Sequence, residues 1–136
     1  MEKVVVVGGS GFIGSHVADC LSDNGYQVTI FDCIYSPWLR QDQNMVIGDI
    51  SDADALKKTI KGAKFVYNFA ALADLNQALD KPIETATINI LGNLNVLEAC
   101  RIHKVERFVY ASTVYVYSRE GSFYKCSKQS SEQYVE

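Results

Sequence analysis

Cysteine is sparse and scattered in this chain, and it has neither a basic excess nor a long apolar run. The four cysteines, Cys20, Cys33, Cys100 and Cys126, form no Cys-x-x-Cys pair and have no histidine pair beside them. That spacing excludes a zinc knuckle and a disulfide framework, leaving reduced thiols expected to serve mostly as core filling. Thirteen basic against sixteen acidic residues give a net charge of −3. No basic stripe is available to neutralise a phosphate backbone, so nucleic acid is not an expected partner. No stretch approaches the ~18 apolar residues of a membrane span, and Met1-Glu2-Lys3 leads directly into four valines without a leader-like region, so a soluble, cytoplasmic protein is expected. Internal repeats, low-complexity stretches and linkers are also missing. The 136 residues, 48% of them hydrophobic, are therefore read as one domain with a real core.

What is present is alternation. Short apolar runs trade places with longer helix-period segments, the pattern of βαβ units in a doubly wound parallel sheet of about five strands with helices on both faces. Val4 to Val7 is apolar at every position, as befits a central strand covered on both sides. Phe12 to Asp23 reads as a helix, with Ile13, Val17, Cys20 and Leu21 as its inner stripe and Asn24-Gly25 as its stop. Strands are expected at Gln27 to Phe31, ending at Asp32, and at Met45 to Ile47. A helix capped by Ser51 and Asp54 and closed by Gly62 follows, then a strand from Lys64 to Asn68. The longest helix is predicted from Pro82 to His103, with Asp80 as its cap. Its apolar stripe of Ile83, Ala86, Ile90, Leu94 and Leu97 is broadened by Leu91, Val96, Ala99 and Cys100. A fifth strand, Arg107 to Ala111, precedes a last helix from Phe123 to Glu136 that has no terminator, so a longer natural polypeptide is expected.

Two short signals carry chemistry. Gly8, Gly9, Gly11 and Gly14 satisfy both Gly-x-x-Gly-x-x-Gly and Gly-x-Gly-x-x-Gly spacings between a strand and a helix. Without Cβ atoms the turn can form, and the backbone amides around Gly11, Phe12, Ile13 and Gly14 can approach a pyrophosphate at the positive end of the helix. Asp32, 18 residues after Gly14, can accept both hydroxyls of an adenosine ribose and would repel a 2′-phosphate. NAD is therefore expected over NADP. Near the other end, Tyr124 and Lys128 stand four apart on one helix face, where an ammonium would favour the phenolate of a proton-transferring tyrosine.

In this order, the motifs resemble the NAD-dependent epimerase/dehydratase branch of the extended short-chain dehydrogenase/reductases. The resemblance covers essentially the whole chain and implies a Rossmann domain. It makes Asp49 and Ile50 the adenine contacts, Phe69, Ala70 and Ala71 the wall of the nicotinamide half, and Asn89 of Asn89-Ile90-Leu91-Gly92 a residue approaching the cofactor. Thr113, with Ser112 beside it, takes the place of the catalytic serine or threonine. The activity implied is reversible oxidation of a UDP- or GDP-sugar hydroxyl. Tyr124 would act as base, Thr113 would bind the reacting oxygen, and Lys128 would bind the nicotinamide ribose and hold down the phenol's pKa. Val114 and Tyr115 stand where a dehydratase carries aspartate and glutamate, which disfavours dehydration. Val7 and Asn68 depart from the usual threonine and histidine, and only ten residues separate Thr113 from Tyr124. The family's C-terminal substrate-binding region is not present in these residues. The resemblance also implies a homodimer through the two long helices. A non-catalytic NAD-binding module, or a dehydratase, reductase or decarboxylase of the same family, is the alternative.

Overall fold

The computed structural model describes all 136 residues. β1 (Lys3–Val7) is the hub. Its alternate valines point to opposite faces and seed two cores. Val4 and Val6 pack with Ala18, Leu21, Val28 and Ile30 on the side of α1 (Phe12–Asp23). Val5 and Val7 pack with Phe31, Leu56, Ile60, Val66, Val96 and Ala99 on the other side. All four valines are at most 1% exposed, which is why a run with no polar face forms the middle of the sheet and not an edge.

Five parallel strands follow the order β3-β2-β1-β4-β5, with β2 at Gln27–Asp32, β3 at Asn44–Ile47, β4 at Ala63–Asn68 and β5 at Arg107–Tyr110. The order reverses between β1 and β4, and the carboxyl ends there open the crevice where doubly wound sheets bind ligands. The expected fold class and all five strands are present, within a residue or two at their ends.

The helices differ from the sequence reading in which faces they bury. α1 turns Gly14, Ser15, Ala18 and Leu21 inward, while Ile13 and Cys20 are exposed. A Cβ on Gly14 would lie 2.3 Å from the Gly8 carbonyl oxygen, so the helix rests on the glycine turn and its roll is set there, not by hydropathy. α2 (Ala53–Ile60) is capped by Asp52, which accepts from the Ala55 amide at 3.0 Å. Ser51 is unavailable because its hydroxyl donates to Asp49.

α3 (Leu75–Asp80), capped by Asp74, was not expected, and Asp80 ends it; it does not cap the next helix. That next helix runs through α4 (Pro82–Ala86), a π-turn at Thr87–Gly92 and α5 (Asn93–Ile102), with Pro82 at its first turn as expected. Its buried face carries Thr85, Asn89, Gly92, Asn93, Val96, Ala99 and Cys100. Ile83 and Leu91 of the predicted stripe are exposed, and Ala86, Ile90, Leu94 and Leu97 are half-buried. The inner positions go to asparagines because they have hydrogen-bonding work there: the Asn68 amide donates to Asn93 Oδ1 at 2.9 Å. A short 3₁₀ turn (Val114–Tyr117) then leads into α6 (Ser122–Val135). Of the four cysteines only Cys100 is buried, so the expectation of mostly core thiols fails. Cys20 on α1, Cys33 in the loop after β2 and Cys126 on α6 are all exposed. No helix is long and apolar enough to cross a membrane.

Candidate functional site: a dinucleotide cleft and a buried tyrosine and lysine

At the switch point lies a cleft of about 370 Å³. Gly8 and Gly11 form part of its floor, Asp32 and Asp49 with Ile50 one flank, and Phe69, Ala70 and Ala71 the other, so eight of the predicted cofactor residues meet in one cavity. Gly8 has φ +78 and a Cβ there would come within 2.5 Å of the Ala70 amide nitrogen. Only glycine lets the β1 and β4 turns touch. At the start of α1 no side chain caps the first turn and no acidic residue stands in it. The free amides near Phe12 and Ile13, whose side chains point to solvent, are left for an anion.

Asp32 is held in place from both sides. Its Oδ2 accepts from the Ser10 amide at 3.0 Å and its Oδ1 from the Ile34 amide at 3.2 Å, while the Ser10 hydroxyl donates to the Ile34 carbonyl at 2.6 Å. Each carboxylate oxygen keeps a further lone pair for a diol. Asp49 is fixed by the Ser51 amide and hydroxyl, which hold its carboxyl below the usual range.

Sequence reasoning missed Ser10, Cys33, Ile34, Gly48 and Ile88, which also line the cleft. Gly48 had a readable signal, since it precedes Asp49-Ile50, and a Cβ there would strike the Phe31 ring at 2.7 Å. Ile34 and Ile88 had none. Asn89 is not among the lining residues. Its Oδ1 accepts from the Leu72 amide at 2.8 Å, and its Nδ2 donates to the Leu72 carbonyl and to Ser127 Oγ at 3.1 and 2.9 Å. The side chain thus fastens the loop beside Ala71 to α6, one residue before Lys128.

On α6, Tyr124 and Lys128 are both buried, Lys128 to 3% exposure. Lys128 Nζ lies 4.5 Å from the centre of the Tyr110 ring and 5.9 Å from that of Tyr124. Tyr115 meets Tyr124 edge to face at 6.3 Å. The expected electrostatics are overturned in one respect: the phenol of Tyr124 is not held down but pushed up by burial, with the neighbouring Thr113 hydroxyl opposing in part. Burial likewise lowers the Lys128 ammonium to about 8, with Glu132 opposing. Burial is the largest influence on both groups, and the ammonium rests nearer the Tyr110 ring than the Tyr124 ring. Thr113 caps the 3₁₀ turn, its Oγ1 facing the Tyr115 amide at 3.4 Å.

A glycine cradle and a pinned acidic residue at the crevice of a 3-2-1-4-5 sheet define a dinucleotide-binding domain of the short-chain dehydrogenase type, while Thr113, Tyr124 and Lys128 lie outside the lining of that cleft. The chain belongs to the NAD dependent epimerase/dehydratase family, whose sequence profile matches residues 4–136. It is 33% identical to a putative UDP-glucose 4-epimerase of Methanocaldococcus jannaschii, over 81% of this chain and 37% of that protein. It is 32% identical to the UDP-glucose 4-epimerase of Mus musculus, over 86% of this chain and 39% of that one. Among solved structures, the UDP-glucose 4-epimerase of Thermotoga maritima with UDP-glucose superposes with a TM-score of 0.91 at 28% identity, covering 98% of this chain and 50% of that one. The Thermus thermophilus UDP-glucose 4-epimerase complex with NAD gives 0.88 at 30% identity, covering 98% and 49%. The chain thus spans well under half the length of these curated relatives.

Proposed function

We propose that residues 1–136 are the NAD-binding, catalytic-residue-bearing domain of a nucleotide-sugar epimerase, with the sugar-binding region lying outside them. The observation that carries the reading is the cleft itself. Gly8 and Gly14 have no room for a Cβ, and Asp32 is oriented with lone pairs to spare at the adenosine end. That donor set fits a dinucleotide with a free ribose diol. Relatives named for UDP-glucose epimerisation, one of them solved with NAD, support the same ligand and a UDP-sugar substrate.

In this reading Gly8, Gly11, Gly14, Phe12 and Ile13 hold the pyrophosphate through backbone amides. Asp32 holds the adenosine ribose, Asp49 and Ile50 flank the adenine, and Phe69, Ala70 and Ala71 border the nicotinamide, with Asn89 bracing that border. NAD, when bound, would supply a reversible hydride acceptor and donor beside the reacting sugar carbon. Thr113 orients the reacting sugar oxygen and Tyr124 takes its proton. Lys128 binds the nicotinamide ribose and, once its ammonium swings from the Tyr110 ring toward Tyr124, lowers the phenol's pKa for that step. Val114 and Tyr115 leave the site without the extra acid and base of a dehydratase.

Two tests follow. Isothermal titration should show NAD binding and none by NADP. In the complete polypeptide, UDP- or GDP-sugar epimerisation should fall by ~10²-fold or more in Tyr124→Phe while NAD affinity stays within a few-fold. NAD binding with no turnover on any sugar, and a silent Tyr124→Phe, would favour the non-catalytic NAD module instead. We also propose a cytoplasmic homodimer. Exposed thiols at Cys20, Cys33 and Cys126 fit a reducing compartment, and the outward Ile83 and Leu91, 81% and 55% exposed, fit a helix-pair interface. Sedimentation equilibrium at micromolar concentration should give a dimer that Leu91→Asp converts to monomer; a monomeric wild type overturns this.

A further inference from the structure

Lys128 is a buried cation with no acceptor of its own. No carboxylate lies within ion-pair distance of its Nζ, and its close neighbour is the face of Tyr110. The groups around it can be named element by element. β5 contributes Tyr110, the 3₁₀ turn Tyr115, and α6 itself Tyr124 and Glu132. α3, α4 and α5 also pack on α6, but Asp74, Asp80, Lys81, Glu84, Glu98 and Arg101 are all exposed. Asn89, which reaches α6 through Ser127 and whose carbonyl accepts from Ser131 Oγ at 2.6 Å, carries no charge. One carboxylate therefore remains, one helical turn beyond Lys128, on the same face. It does not float: the Ser112 hydroxyl, two residues past β5, donates to Glu132 Oε1.

We propose that Glu132, anchored by Ser112, is a positioning residue that keeps Lys128 charged and directed at the site where the nicotinamide ribose and the Tyr124 phenol would meet it. The inference rests on the proposed function for its purpose, though not for its physics. Burial of an ammonium favours the neutral amine, and a neutral amine could neither hold a ribose hydroxyl strongly nor stabilise a phenolate. An opposite charge on the same helix face offsets part of that, and Glu132 is the group that raises the proton affinity of Lys128 against its burial. Ser112 prevents the glutamate from swinging into solvent, which is the function of the residue beside Thr113. It also couples the end of the catalytic strand to the catalytic helix.

The measurement is the pH midpoint of Lys128 Nζ by heteronuclear NMR, assigned by its disappearance in Lys128→Met, on the full 136-residue chain. Glu132→Gln should bind the Lys128 proton about tenfold more weakly than wild type. Ser112→Ala, a surface change that keeps the carboxylate, should move the midpoint the same way by less, and Glu132→Asp should restore part of it. A midpoint that moves in neither Glu132→Gln nor Ser112→Ala overturns the inference. Should Glu132→Gln fail to fold, an unmoved midpoint in Ser112→Ala overturns it alone. NAD titration separates the two layers. If the midpoint moves but Lys128→Met binds NAD as wild type does, the coupling stands and the assignment of Lys128 to the cofactor fails.

Discussion

Gly14→Ala is expected to lower stability by ~3 kcal/mol and to take dinucleotide affinity with it, an overpacking penalty at the upper end of the usual range. The new methyl would sit 2.3 Å from the Gly8 carbonyl oxygen and 2.9 Å from Gly9 Cα, both of them backbone, so no flexible side chain can give way. α1 would have to move off β1, lifting the amides of its first turn from the proposed pyrophosphate site and opening the Ala18 and Leu21 contacts with Val4 and Val6. Gly11→Ala is the control. Its Cβ would meet nothing closer than the Gly8 oxygen at 3.5 Å, and its φ of −78 suits any residue. That variant should keep its stability and lose affinity only through crowding of the bound phosphates. Urea unfolding midpoints and NAD titrations on the two variants check both halves. Equal stability losses in the pair would contradict the contact geometry, and undiminished NAD binding by Gly14→Ala would contradict the cradle.

The contrast between these glycines shows which parts of the site can be read from a sequence. A glycine at a turn is legible because its function is local: Gly8, Gly11 and Gly14 take their places from the chain immediately around them. Asp32 follows from the same strand-turn-helix grammar. Ile34 and Ile88 line the same cleft through convergence of segments 54 residues apart, and no local pattern marks them.

The long helix was misjudged for a related reason. Hydropathy places Ile83, Ile90 and Leu91 inside, yet the interior there is built from Asn68, Asn89 and Asn93, whose hydrogen bonds join β4, the loop at Leu72 and α6. A polar residue earns burial by having partners, and partners from distant elements leave no periodicity to count. α3 escaped notice because six residues with one buried side chain, Ala78, carry no helical stripe. The Tyr124 and Lys128 spacing was legible, while the direction of their proton affinities was not, because burial sets both and comes from elements distant in the chain, Tyr110 of β5 against Lys128 among them.

That neighbour makes Lys128→Met the second large effect: stability should rise by ~2 kcal/mol at pH 7, a Tm gain of several degrees, while the ribose and phenolate contacts proposed for Lys128 would be lost. Wild type holds a cation in a site where burial has lowered its proton affinity to about 8, below the ordinary lysine value of about 10.4. Below pH 8 the amine is charged in both the folded and the unfolded chain, and the folded state bears the desolvation cost in full. Between pH 8 and about 10.4 the unfolded chain binds the proton and the folded chain does not, so wild-type stability from this group rises with pH. The displacement to about 8 already includes the opposing charge of Glu132 and implies ~3 kcal/mol; loss of the cation's contact with the Tyr110 ring in the variant places the gain below that. Methionine fills a similar volume beside Tyr110 and Tyr124 with no charge to desolvate. The stability gap between variant and wild type should therefore be widest near neutrality and close as the pH approaches 10. Urea denaturation at pH 7, 8, 9 and 10 measures it directly. A gap that stays constant across that range would mean that Lys128 reaches solvent when charged, and that its burial over Tyr110 belongs only to the neutral amine.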